Sequence, residues 1–127
     1  MTSNEIVDKL KILANELNLE VSESNNSLNM YIHNEGFSVL HFDKIRTQTW
    51  FEVRNEINIT MHLYCPTISV GDLYLVRDFN SAILLVRTFV IGYRKTLESI
   101  ELLKKQYKIE LKKMNMEKDF ENDWRRI

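Results

Sequence analysis

The sequence predicts an α+β domain: a short N-terminal helix, a four- to five-stranded antiparallel meander, and a long C-terminal helix packed on the sheet. Three changes of period carry this expectation. Apolar residues recur at helical intervals near the start, alternate singly with polar ones through the middle, and return to a seven-residue repeat from Phe79 onward.

Thr2 and Glu5 have the spacing of a capping box, and Ile6, Leu10, Leu13 and Leu17 follow at intervals of three and four. A helix is expected from about Ser3 to Leu17. So short an apolar stripe is marginal alone and needs a surface to pack on.

Leu19 and Val21 begin the alternating stretch, which is interrupted by the polar run from Ser22 to Ser27. Leu28, Met30 and Ile32 then alternate with Asn29, Tyr31 and His33, the pattern of a half-buried strand. Asn34-Glu35-Gly36 supplies turn chemistry, and Phe37 to Phe42 reads as the hairpin partner. Thr47 to Val53 and Ile57 to Tyr64 form a second alternating pair joined through Arg54-Asn55-Glu56. Ile57, Ile59, Met61 and Leu63, with Phe51 and Val53, are expected to point into the core. That leaves Trp50, Arg54, His62 and Tyr64 on the other side as a candidate exposed binding face. Cys65-Pro66 closes the sheet, because proline cannot donate to a strand ladder. Leu73 to Val76 is open between a fifth strand and a helical turn, with Asp78 or Asn80 as the cap of the long helix.

From Phe79, alternating steps of four and three pass through Ile83, Val86, Val90, Tyr93, Leu97, Ile100, Lys104, Tyr107, Leu111 and Met114. This is a heptad seam broken at Lys104. Before Gly92 apolar residues occupy nearly every side, as in a buried helix; beyond it they narrow to a stripe. A helix to Met114 is about 50 Å long at 1.5 Å per residue. A compact chain of this size has a radius of gyration of roughly 14 Å. The single domain, residues 1–127, is therefore expected to carry a protruding rod over about 97–120 unless the helix bends at Gly92. The charged tail from Glu117, with Phe120 and Trp124, is expected to fray in its last residues.

Composition is that of an ordinary globular protein with a net charge of −1. The near-balance hides an asymmetry: five Lys or Arg against ten Asp or Glu precede Arg77, and twelve against eight follow from it. No apolar run approaches the roughly 18 residues of a membrane span. The start, MTSNEIVDKL, has no secretion-signal pattern, and a lone Cys65 fits a reducing cytoplasm. Abundant Asn, Ile and Lys with two alanines suggest an A/T-rich genome, such as a low-G+C bacterium or its phages and mobile elements.

Catalytic and ligand motifs are not evident. His33, His41, His62 and Cys65 lack metal-ligand spacing, and Gly36, Gly71 and Gly92 match no phosphate loop. A Cys65–His pair lacks the helix N-terminus that activates a thiol. Neither an enzyme nor a cofactor is expected. The seam is the strongest functional signal, and it predicts a non-catalytic protein-binding or regulatory module. Tyr93, Leu97, Ile100, Lys104, Tyr107, Leu111 and Met114 would form its partner or homodimer interface. A small phage- or mobile-element inhibitor of a host protein suits this provenance. The alternative is a nucleic-acid-binding accessory protein using Arg94, Lys95, Lys105, Lys108, Lys112 and Lys113 on phosphates.

Overall fold

The computed structural model describes residues 1–45, 50–62 and 65–125, with side chains at all of these except 62 and 117–125. Leu63, Tyr64 and the expected strand start at Thr47 lie outside the described residues, as do the side chains of His62, Phe120 and Trp124.

The fold is α+β. Helix α1 (Ser3–Glu16) is followed by β1 (Leu19–Glu23), β2 (Ser27–Ile32), β3 (Ser38–Asp43) and β4 (Phe51–Val53). Next come β5 (Ile57–His62), β6 (Cys65–Val70), β7 (Tyr74–Val76) and helix α2 (Phe79–Arg125). At its start, α1 is capped as its sequence requires: the Glu5 amide donates to Thr2 Oγ1 at 3.2 Å. Asn18, just past its end, takes φ 54°, a left-handed conformation that asparagine tolerates. Asn34 does the same at φ 66° between β2 and β3.

The main sheet is antiparallel in the order β1-β2-β3-β4-β7, and β5 and β6 form a separate two-stranded hairpin. This revises the expected meander at one place. The fifth strand is β7, so the segment left open between strand and helical turn is strand over Tyr74–Val76, and β5, which was expected beside β4, leaves the sheet. Ile59 and Met61, expected in the core, are consequently 57% and 68% exposed.

The excursion is held at its neck. The Arg54 amide donates to the Val39 carbonyl at 3.1 Å, and the Gly71 amide to that of Glu56 at 3.1 Å. Arg54 Nε donates to the Ser38 carbonyl at 2.6 Å and Nη1 to that of Gly71, while its guanidinium lies over the Phe37 ring. Arg54 is thus committed within the chain and is not part of a free binding face. Its expected companion Trp50 is half-buried.

Both helices cover one face of the main sheet. Leu10, Leu13, Leu28, Met30, Leu40, Phe42, Phe51, Val53, Val86 and Val90 form the centre of a continuous buried core. Phe42 and Phe51 stack across β3 and β4 at 5.3 Å, and Phe79 meets Phe51 edge-on at the start of α2. Core burial on this scale, at about 25 cal/mol per Å² of apolar area, anchors the first half of α2.

Candidate protein-interaction site

Helix α2 begins at a side-chain cap. Asp78 Oδ2 accepts from the Ser81 amide at 2.9 Å and from its hydroxyl at 2.7 Å, and these bonds lower the Asp78 carboxyl below its ordinary range. From there α2 is one helix across Gly92 through Arg125, 47 residues or about 70 Å. The helix therefore does not end near Met114 but runs on to Arg125, and residues 126 and 127, the last of those expected to fray, lie outside the described residues.

The predicted seam is real, but its cover differs from expectation. Tyr93 and Ile100 are each 2% exposed, and Leu97 is half-buried against the core. The chain's own hairpin provides the cover: β6 lies along α2, with Ile57 beside Gly92 and Pro66 beside Tyr107. Lys104 is half-buried on the seam, with its ammonium 4.0 Å from Glu101, and Tyr107 is also half-buried. Tyr93, Leu97 and Ile100 are thus intrachain contacts in place of the expected partner surface. The chain itself supplies the apolar cover expected of a second molecule: Phe37 against Tyr93, and the hairpin along α2.

Past the hairpin turn that cover stops. Leu111 and Met114 continue the seam and are exposed. At about 100° per residue, Leu84, Ile91, Leu102, Ile109 and Met116 fall within about 40° of one another on the opposite side of α2, and all are exposed. This second stripe is not among the expected interface residues; its sequence signal is the seven-residue interval from Leu102 to Ile109 to Met116.

Two clefts lie where the hairpin meets the helix. One, of about 410 Å³, is lined by Asn55, Ile57, Leu85, Thr88, Phe89 and Gly92. The other, of about 230 Å³, is lined by Met61, Pro66, Leu103, Gln106, Tyr107 and Glu110. Both are mainly apolar, and neither gathers the titratable groups that chemistry needs.

The basic residues divide in two. Arg94 donates to the Asn18 carbonyl at 3.1 Å, and Arg87 pairs with Glu16 at 2.6 Å, so both fasten α2 to the end of α1. Arg94 is therefore a structural clamp rather than the phosphate contact expected. Lys95, Lys105, Lys108, Lys112 and Lys113 are exposed. Between residues 94 and 116 there are seven Lys or Arg against three Glu, which leaves the distal helix distinctly positive.

Among the described residues, no three His, Cys, Asp or Glu side chains come together, and no helix is long and apolar enough to cross a membrane. His41 bonds Asn29 at 2.7 Å on the main sheet, while Cys65 is exposed on the separate hairpin. No protein-family model matches this chain, and no curated protein or solved structure matches it either.

Proposed function

We propose that this chain is a non-catalytic protein-binding module that uses α2 both to self-associate and to engage a protein partner. One observation carries the reading: α2 outruns its own cover while still bearing apolar side chains. Leu102, Ile109, Leu111, Met114 and Met116 are all 40% or more exposed on a helix that projects beyond the hairpin. They form two exposed stripes on opposite sides of α2, Leu102, Ile109 and Met116 on one and Leu111 with Met114 on the other, and exposed apolar stripes of this kind mark interaction sites. Its basic border favours a partner that rings an apolar groove with carboxylates. The A/T-rich residue usage and the lone cysteine favour a cytoplasmic regulator carried by a phage or mobile element.

Light scattering on the wild-type chain, with capture of protein from a source-cell extract, tests this reading. Light scattering should give a mass above that of the monomer, and capture of the protein partner should weaken on Ile109→Glu with Met114→Glu. Monomeric mass throughout, together with capture that ignores those substitutions, would refute it.

A second reading has its own support. Lys105, Lys108 and Lys112 stand at i, i+3 and i+7, one exposed row on the helix. Such a row suits a phosphate backbone, and binding to labelled DNA or RNA should then fall steeply as salt rises.

A further inference from the structure

The β5–β6 hairpin is covered along β6 and, on β5, only at Ile57, which lies beside Gly92. Register sets Ile57 opposite Val70, Ile59 opposite Ile68 and Met61 opposite Pro66, so these six side chains share a face. Helix α2 lies under β6, where Pro66 is buried and Ile68 and Val70 are half-buried. Under β5, Ile59 and Met61 remain exposed. A groove therefore runs between the underside of β5 and the adjoining flank of α2, linking the two clefts.

From Leu85 to Leu103 its floor is Leu85, Thr88, Gly92, Thr96, Ser99 and Leu103, with no charged residue among them, and it ends at Gln106 and Glu110, which line the second cleft. The three hydroxyls donate within the helix: Thr88 to the Leu84 carbonyl at 2.8 Å, Thr96 to Gly92 at 2.8 Å, and Ser99 to Lys95 at 3.0 Å. With its donors satisfied, this floor presents mainly carbon to an incoming surface.

We propose that the groove is filled by the same flank of a second copy, with the two α2 helices antiparallel about a two-fold axis between residues 97 and 98. The flank is self-complementary about that point. Leu103, half exposed, is a knob; the cleft over Gly92 is a hole; Thr96 and Ser99 between them are small enough for close approach. An axis there sets each Leu103 against the other copy's Gly92, and Thr96 against Ser99, as an isologous contact requires.

Charge selects the same direction. Antiparallel pairing lays the basic distal helix of each copy beside the other's body, whose residues before Arg77 include ten acidic and five basic ones. Parallel pairing would bring the two basic ends together. Extent is adequate as well. From Leu85 to Glu110 the groove is about 37 Å long, and a helix some 10 Å wide touching both walls buries on the order of 700 Å² per copy, near the ~800 Å² of a stable interface.

This inference rests on the self-association reading and specifies its surface. Solution mass is measured for the wild-type chain, for Leu103→Glu, and for Met61→Glu, both at exposed positions, with circular dichroism confirming the fold. Each substitution should raise the dimer dissociation constant at least tenfold, whereas Leu111→Glu with Met114→Glu leaves it within twofold. In a Cys65→Ser background, Ser99→Cys should cross-link between copies through a short bis-maleimide, and Lys113→Cys should not. A dimer that tolerates Leu103→Glu, or one that cross-links at Lys113→Cys in place of Ser99→Cys, overturns the groove yet leaves self-association through the distal helix. A wild-type chain that is monomeric at every concentration overturns both.

Discussion

Arg54 donates through Nη1 to the carbonyl of Gly71, so a side chain at the end of β4 closes the neck by which the chain leaves the main sheet and returns to it. The same guanidinium bonds the Ser38 carbonyl and covers Phe37, which in turn meets Tyr93 at 5.3 Å between ring centres. Arg54→Ala should cost about 2–3 kcal/mol in urea denaturation, since it removes two charge-assisted bonds and leaves carbonyls unmet. Arg54→Lys should recover less than half of that, because an ammonium lacks the planar fork. A loss below about 0.5 kcal/mol for Arg54→Ala would show that the neck is held by its backbone bonds alone.

The hairpin's position also decides what charge does along the seam. Ile100→Glu places a carboxylate under the hairpin with no partner and should destabilise the chain by about 3 kcal/mol or more. Met114→Glu, on the exposed continuation of the same seam, should stay within about 0.5 kcal/mol. Thermal melts of the two variants check the boundary between covered and uncovered helix; equal losses would mean that the cover extends further than the hairpin turn.

Periodicity made α1, β2, β3 and the seam of α2 legible, because each turns apolar residues to the core and the alternation or heptad records that face directly. It failed at β5. Ile57, Ile59 and Met61 alternate as a core strand does, yet nothing in alternation states which sheet a strand joins. The information lay in Arg54 and Gly71, whose contact forms only once the chain has gone out and come back. The placing of the partner surface along the whole seam missed for the same reason: a seam shows that a helix needs cover, not whether its own chain supplies it. Tyr93, Leu97 and Ile100 were covered from within, and Leu111 and Met114 were not.

Glu23 lies 2.7 Å from the ammonium groups of both Lys11 and Lys44, and hydrogen bonds from Lys11, then Lys44, lower its carboxyl from 4.5 to about 2. A depressed folded pKa contributes stability that is complete above the unfolded value and is lost as pH falls through the folded one. Denaturation midpoints should therefore decline between about pH 4.5 and 2, and Glu23→Gln should flatten that limb. Because these ion pairs stay open to solvent at the surface, 1 M salt should shrink the difference between the two proteins.

Tyr93 gives the opposite limb. Burial, reinforced by a hydrogen bond to the Glu35 carboxylate, raises its phenol from 10.0 to about 12. A raised folded pKa means stability that is complete below pH 10 and lost as pH rises toward 12. Tyrosinate absorbance from Tyr93 should thus appear only together with unfolding, and Tyr93→Phe should remove this part of the alkaline decline. Ionisation of Tyr93 near pH 10 in the folded chain would contradict its burial under Phe37 and Phe89.

Gly92 separates the stability of the chain from that of its association. Glycine inside a helix costs about 0.5–1 kcal/mol relative to alanine, because it loses more backbone freedom on folding. A Cβ added here would meet Ile57 Cδ1 at 3.6 Å, an ordinary contact that asks nothing to move. Gly92→Ala should therefore stabilise the monomer by about 0.5–1 kcal/mol, a rise of roughly 4 °C at most in melting temperature. The same methyl narrows the cleft that receives Leu103 of a second copy, so the dimer should weaken as the monomer strengthens. Melts at concentrations below the dissociation constant, read beside solution mass above it, report the two effects separately. A lower monomer melting temperature would show that the floor of the cleft lacks the space described, whereas stabilisation with unchanged dimer affinity would place the second copy's Leu103 elsewhere.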